Sequence, residues 1–150
     1  MTKIALICSS GGHLFQLFSL RDFWGKYDHF WVSFDTQDAK YLLADETVNW
    51  AHYPTNRNIK NLVRNIFLAG RILRRERPDM IVSTGAGVSV PFFMLGWLMG
   101  IPTVYVESIT RSEQLSMSAR LNYFFAKKLL VQWPELAEKY PKAEFQGQII

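Results

Sequence analysis

The feature that most constrains the fold is a device the chain uses twice: a short apolar strand, a glycine turn, then a stretch of helical spacing. The first copy is Lys3-Ile-Ala-Leu-Ile-Cys8, followed by Ser9-Ser10-Gly11-Gly12-His13. The isoleucine-rich run reads as a buried parallel strand, which the serines and paired glycines break. From Leu14 the pattern turns helical, with Leu14, Leu17, Phe18 and Trp24 on about one side. Gly11, Gly12 and His13 therefore belong in a tight turn at the carboxyl end of a first strand, ahead of a helix N-terminus. The second copy is Asp79-Met-Ile-Val-Ser-Thr84, then Gly85-Ala86-Gly87, then an apolar helix from about Val88 to Met99. In an open α/β sheet this is the edge at which ligands bind, because glycines admit a ligand close to the backbone and free N–H groups attract phosphate.

Between and after these copies, strands and helices alternate. Asp28–Phe34 reads as a second strand, Thr36–Asp45 as a helix with Asp35 or Thr36 near its cap, and Trp50–Tyr53 as a short extended piece. Asn58 to about Glu76 is a helix that Pro78 stops. Gly100 caps the Val88–Met99 helix, Thr103–Val106 is a strand, Leu115–Lys127 looks helical, Leu129–Gln132 is a strand and Glu135–Tyr140 a short helix. No linker, repeat or low-complexity segment interrupts the series. The expected fold is one α/β domain over residues 1–150, Rossmann-like, with a parallel sheet.

The totals agree and narrow the function. In 150 residues, 49% are hydrophobic, enough for a substantial core, and the net charge of +4 comes with no nucleic-acid-binding motif. The single cysteine, Cys8, has no internal partner and reads as a buried, inert thiol. Met1-Thr2-Lys3 running straight into a strand is unlike a signal peptide. The longest apolar stretch, Val88–Ile101, has 14 residues and contains Pro91, too short to span a bilayer. A cytoplasmic protein is expected. His29 and His52 lie in strand-like runs without carboxylate or cysteine at ligand spacing, so both read as structural, and no metal site is expected.

Two surfaces could meet a membrane. On the helix from Asn58, the apolar set Ile59, Leu62, Ile66 and Leu73 occupies one side, and Arg57, Lys60, Arg64, Arg71 and Arg75 fall in a stripe about 60° wide on the other. The stripe reads either as a solvated face or as a contact for anionic lipid. The Val88–Met99 helix is apolar nearly all round. It is either fully packed or dips part of its surface, around Phe92 and Trp97, into the membrane interface.

Three strand ends carry candidate chemistry: His13, then Gly85 and Gly87, then Glu107 with Ser108 and Arg111. A histidine or carboxylate there can take a proton from a hydroxyl, and arginine with backbone N–H groups can hold a phosphate or diphosphate. No Gly-Lys-Ser/Thr phosphate loop, no Gly-x-Gly-x-x-Gly and no Asp-x-Asp pair is present. The residues alone describe an anion-receptive crevice with a candidate base. A free-standing nucleotide-binding enzyme, with Asp35 as the acid ending the second strand, stays open on this reading.

Several segments resemble one family closely. They are Ser10-Gly-Gly-His13, Pro78-Asp79, Gly85-Ala-Gly87 with Pro91, Val104-Tyr-Val-Glu-Ser108, Arg111, Leu115-Ser-Met-Ser118, Ala126 through Trp133, and Tyr140-Pro-Lys-Ala143 through Gly147. The family is the membrane-docking subunit of the two-part N-acetylglucosaminyltransferase of asparagine-linked glycosylation, with bacterial relatives of the PssD type in capsule and exopolysaccharide synthesis. The Gly-Gly-His turn is shared with the wider family that includes MurG. The resemblance implies a GT-B transferase split over two chains, of which this is the N-terminal, acceptor-side half. A donor-binding subunit, a UDP-sugar donor and a lipid-diphosphate-linked acceptor would complete it, with no further cofactor. On the strand-end reading, His13 and Glu107 would then serve catalysis, and Ser10, Gly11, Gly12, Gly85, Gly87, Ser108 and Arg111 would meet the acceptor and its phosphates. The resemblance also implies peripheral attachment to the inner face of the cytoplasmic membrane, since the eukaryotic subunits' N-terminal membrane helix has no counterpart here. The partner's contact is expected in the segment Trp133–Ile150.

Overall fold

The computed structural model describes residues 2–149; Met1 and Ile150, the latter ending the segment expected to meet a partner, lie outside the described residues. The strand-and-helix series is β1 (Lys3–Cys8), α1 (Gly12–Phe18), α2 (Arg21–Trp24), β2 (Asp28–Phe34), α3 (Gln37–Leu42), β3 (Val48–Ala51), α4 (Ile59–Glu76), β4 (Met80–Gly85), α5 (Ser89–Leu98), β5 (Thr103–Val106), α6 (Met117–Asn122), β6 (Lys128–Val131), α7 (Pro134–Lys139) and β7 (Ala143–Phe145). The seven strands form one sheet in the order β3-β2-β1-β4-β5-β6-β7, and every neighbouring pair is parallel. Strand order reverses direction between β1 and β4, so a crevice opens there at the carboxyl edge.

Successive side chains of a strand point to opposite faces, so the sheet feeds two cores. On one face Ile4, Leu6, Cys8 and Trp31 pack under Leu14, Leu17, Trp24, Ala39 and Leu43 of the α1–α3 region. On the other, Ala5, Ile7, Phe30, Val32, Ile81 and Leu129 pack under Ala69, Ile72 and Leu73 of α4, Phe92 and Phe93 of α5, and Leu136 of α7. The right-handed crossover rule dictates this division: connections moving towards β3 place helices on one face, and those moving towards β7 place them on the other. One part of the sheet is left thinly covered. On the α1 side, Val82, Val104, Val106 and Leu130 line a hollow with Leu20, Phe23 and Met80 whose walls are entirely apolar.

Several details depart from expectation. The first helical stretch is two helices, because Ser19 and Leu20 turn the chain between α1 and α2. The helix expected over Leu115–Lys127 shortens to Met117–Asn122, and β7 was not expected at all. Of the two residues the membrane alternative places at the interface, Phe92 is fully buried. Only the last turn of α5 emerges, at Trp97 and Leu98. Burying a phenylalanine contributes about 1.5–3 kcal/mol, so Phe92 belongs to the core.

The last concerns α4, which keeps Leu73 of the expected apolar set inward but turns Ile59 out. Its buried residues are Asn61, Asn65, Ala69, Ile72 and Leu73, whereas Ile59 is 78% exposed and Phe67 76%. The two asparagines go inside because they satisfy backbone. Asn65 Oδ1 accepts from His52 N at 2.9 Å and its Nδ2 donates to His52 O at 3.0 Å, while Asn61 Nδ2 donates to Pro54 O at 2.8 Å. Asn58 caps the helix by accepting from Asn61 N. Arg57 precedes the helix with φ of 50°, outside the stripe drawn for it, and Arg75 is held by Glu76 and by Asn49 Oδ1.

Candidate functional site

The crevice beside the β1–β4 switch is a cavity of about 410 Å³. Its walls include Gly12, His13, Glu107, Ser108 and Arg111, five of the residues singled out from sequence, together with Gln16, Tyr105 and Ser116. Ser10, Gly11, Gly85 and Gly87 do not line it. Gly87 instead backs onto Thr55, whose Oγ1 would lie 3.1 Å from an added Cβ.

His13 sits in the first turn of α1, one step later than the expected turn. Its Nδ1 lies 2.8 Å from the carbonyl oxygen of Thr84 at the end of β4. A carbonyl only accepts, so Nδ1 carries the proton. Nε2 is then the basic nitrogen, the one able to take a proton from a bound hydroxyl. Thr84 Oγ1 donates in return to the His13 carbonyl, which locks the turn against β4. Gly85 makes the fit possible. At φ of 116° it adopts a backbone conformation nearly reserved for glycine, and a Cβ there would stand 2.9 Å from His13 Nδ1.

The N–H of Gly11, expected to attract phosphate, is already engaged. Asp38 at the start of α3 accepts from it at 2.8 Å and from Thr36 Oγ1 at 2.6 Å. These donors, Thr36 foremost, hold the Asp38 carboxyl below the usual carboxylate range. Asp35, the acid that a nucleotide-binding enzyme would want free at the end of β2, pairs with Lys40 at 2.9 Å.

Glu107 is not an open base. It is fully buried, and its carboxylate collects three donors: Ser108 N at 2.9 Å, Ser116 N at 2.7 Å and Ser116 Oγ at 3.1 Å. Ser116 is also the N-cap of α6, with its hydroxyl accepting from Ala119 N. Glu107 thus pins the loop from Ser108 to Ser116, and with it Arg111, to the end of β5. Its catalytic assignment gives way to a positioning one.

Three residues that sequence reasoning passed over complete the site. Gln132, at the end of β6 and buried, donates from Nε2 to Gln16 Oε1 and to the Glu107 carbonyl, both at 3.0 Å. Its Oε1 accepts from Ile149 N at 2.7 Å. Gln16 in turn donates to Ser108 Oγ at 3.3 Å. Tyr105 forms part of the wall with its hydroxyl buried. The available signal was a polar residue ending an otherwise apolar strand, as Gln132 does after Leu129-Leu-Val131.

Among the described residues no group of three or more metal-ligating side chains forms, and no helix is long and apolar enough to cross a membrane.

A parallel seven-stranded sheet with its site at this switch defines the class: an α/β domain of the kind that forms the N-terminal half of GT-B proteins. The crystal structure of Acinetobacter baumannii MurG superposes with a TM-score of 0.81 at 16% identity, over 97% of this chain and 45% of that one. Residues 51–149 match the family described as "Oligosaccharide biosynthesis protein Alg14 like", and the chain belongs to that family. The human UDP-N-acetylglucosamine transferase subunit ALG14 is 37% identical over 94 residues, 59% of this chain and 44% of that protein. The mouse subunit aligns over 99% of this chain and 83% of its own length at 26% identity. The chain thus spans less than half of the human relative.

Proposed function

We propose that this chain is the acceptor-side, membrane-docking subunit of a split UDP-sugar-dependent glycosyltransferase, extending a lipid-diphosphate-linked oligosaccharide in capsule or exopolysaccharide synthesis. It is active only with a separate donor-binding subunit. The observation that carries the reading is the match of residues 51–149 to the Alg14-like family, on a sheet that superposes on MurG. A relative named as a transferase "subunit" points the same way. The crevice supplies acceptor chemistry: a proton-accepting Nε2 on His13, and the Arg111 cation on a loop that Glu107 holds in place. The apolar hollow over β4–β6 continues beside Gln146–Ile149, so the partner is assigned to this side, including the Trp133–Ile149 segment.

The membrane surface follows from the side that α4 turns outward. At about 100° per residue Phe67 lies near the centre of that face, with Ile59 and Val63 to one side and Lys60, Arg64 and Arg71 to the other. Aromatic and aliphatic groups flanked by cations suit an anionic lipid surface at the inner face of the cytoplasmic membrane. Trp97 and Leu98 on neighbouring α5 extend it.

The test is reconstitution. The purified chain, given a UDP-sugar and a lipid-diphosphate-linked acceptor, should transfer nothing. Adding the donor-binding subunit should restore transfer. Robust transfer by this chain alone overturns the proposal.

A further inference from the structure

Three buried side-chain polar atoms have no hydrogen-bond partner among the described residues: Ser33 Oγ, Asn122 Oδ1 and the Tyr105 hydroxyl. The first two belong to residues that line none of the cavities described above. Tyr105 is different, because it forms part of the crevice wall while the whole residue is fully buried. Burying a hydroxyl without a partner is destabilising, so a fold retains one where something else satisfies it.

The surroundings say what that something is. A methyl group placed on Gly85 would stand 3.0 Å from the Tyr105 oxygen and 2.9 Å from His13 Nδ1, so phenol and imidazole stand side by side against Gly85. Ser116 and Ser118 lie near the phenol, but neither reaches hydrogen-bonding geometry with it. Burial, and after it the charge of Glu107, hold the phenol above its usual range, so the oxygen keeps its proton and can donate. The same Glu107 charge disfavours an anionic oxygen at this depth. Phosphate is better placed by Arg111, whose guanidinium is exposed and has no carboxylate partner among the described residues.

We propose that Tyr105 is a specificity-determining residue of the crevice, donating its phenolic hydrogen to a neutral hydroxyl oxygen of the acceptor's sugar ring. The assignment rests on the acceptor-side reading above. It orients the ligand: sugar ring on Tyr105 beside His13, diphosphate towards Arg111. Tyr105 thereby separates a sugar-bearing lipid diphosphate from a bare one.

The test is Tyr105→Phe, measured two ways. Thermal unfolding of the free protein should shift up by about 2–4 °C, because the variant no longer buries an unpaired hydroxyl. Binding of an isoprenyl diphosphate carrying one N-acetylglucosamine, in detergent micelles, should weaken by about 3- to 10-fold. Binding of the same isoprenyl diphosphate without the sugar should not change. Lowered thermal stability in the variant would show that the hydroxyl is satisfied within the protein, and overturns the proposal. So does wild-type-like affinity for the sugar-bearing probe, or an equal loss for both probes. If the wild-type protein binds neither probe, the acceptor-side reading itself fails and the Tyr105 assignment falls with it.

Discussion

Substituting Glu107 by alanine removes the acceptor for the buried backbone N–H of Ser108, the half-buried N–H of Ser116 and the Ser116 hydroxyl. The hydroxyl can rotate to a new partner; the two N–H groups cannot. An orphaned buried donor costs about 1–3 kcal/mol, and the two are neighbours in one loop, so their costs overlap. A loss of about 3 kcal/mol is expected, a large share of the ~5–15 kcal/mol that holds a domain together. At ~2–4 °C per kcal/mol for this size of chain, the melting temperature should fall by roughly 10 °C. Glu107→Gln should land between wild type and alanine. The carboxylate uses both oxygens as acceptors, and either orientation of the amide sets its NH2 against a donor. The assay is urea unfolding followed by circular dichroism, with His13→Ala alongside. His13→Ala gives up one hydrogen bond at a partly exposed site and should unfold within about 1 kcal/mol of wild type, while abolishing most transfer by the reconstituted enzyme. A Glu107→Ala protein as stable as wild type but inactive would refute the positioning role and return Glu107 to the catalytic group.

Two further outcomes are expected. Reversing Lys60, Arg64 and Arg71 to glutamate should release the protein from anionic vesicles in a sedimentation assay, since each basic residue near the surface contributes ~1 kcal/mol; unchanged sedimentation would mean that the outward face of α4 is merely solvated. Glu76, which joins the end of α4 to β1 through Lys3 at 2.7 Å, has its carboxyl held below the usual range by Lys3 and Arg75. Its folded pKa is the lower one, so its contribution is present at neutral pH and lost as pH falls below about 4.5. Glu76→Gln should therefore cost under about 1 kcal/mol at pH 7 and flatten the acid limb of the stability profile; an unchanged acid limb would remove Glu76 from that account.

The alternation of strands and helices, the parallel sheet and the crevice at the first glycine turn were all legible, because period and glycine placement report backbone directly. Which side of a helix is buried was less so. On α4 the apolar period pointed to Ile59, Leu62, Ile66 and Leu73; Leu73 is buried, yet Ile59 is exposed because the inward side was chosen by Asn61 and Asn65, whose amides serve the backbone at Pro54 and His52. That depends on a tertiary contact no local pattern encodes. Phe92 and Trp97 are five residues apart on one apolar helix, and hydropathy cannot rank their depth. A carboxylate at a strand end can be base or brace. Only the positions of Ser108 and Ser116 around Glu107 decide which. Tyr105 is hidden in an apolar strand run, where its side chain reads as packing; Gln132 is marked only by being the polar end of its strand.

The bond from Ile149 N to Gln132 has a practical consequence. Gln132 also holds Gln16 and the Glu107 carbonyl, so Ile149 is tied through one amide to two residues of the crevice wall although it lies far along the chain. A fluorophore, bead or fusion attached beside Gln148 would pull on that amide and report distorted ligand binding. The same label at Thr2, next to the start of β1 on the opposite rim of the sheet, would leave the crevice undisturbed. Reporters on this protein belong at Thr2.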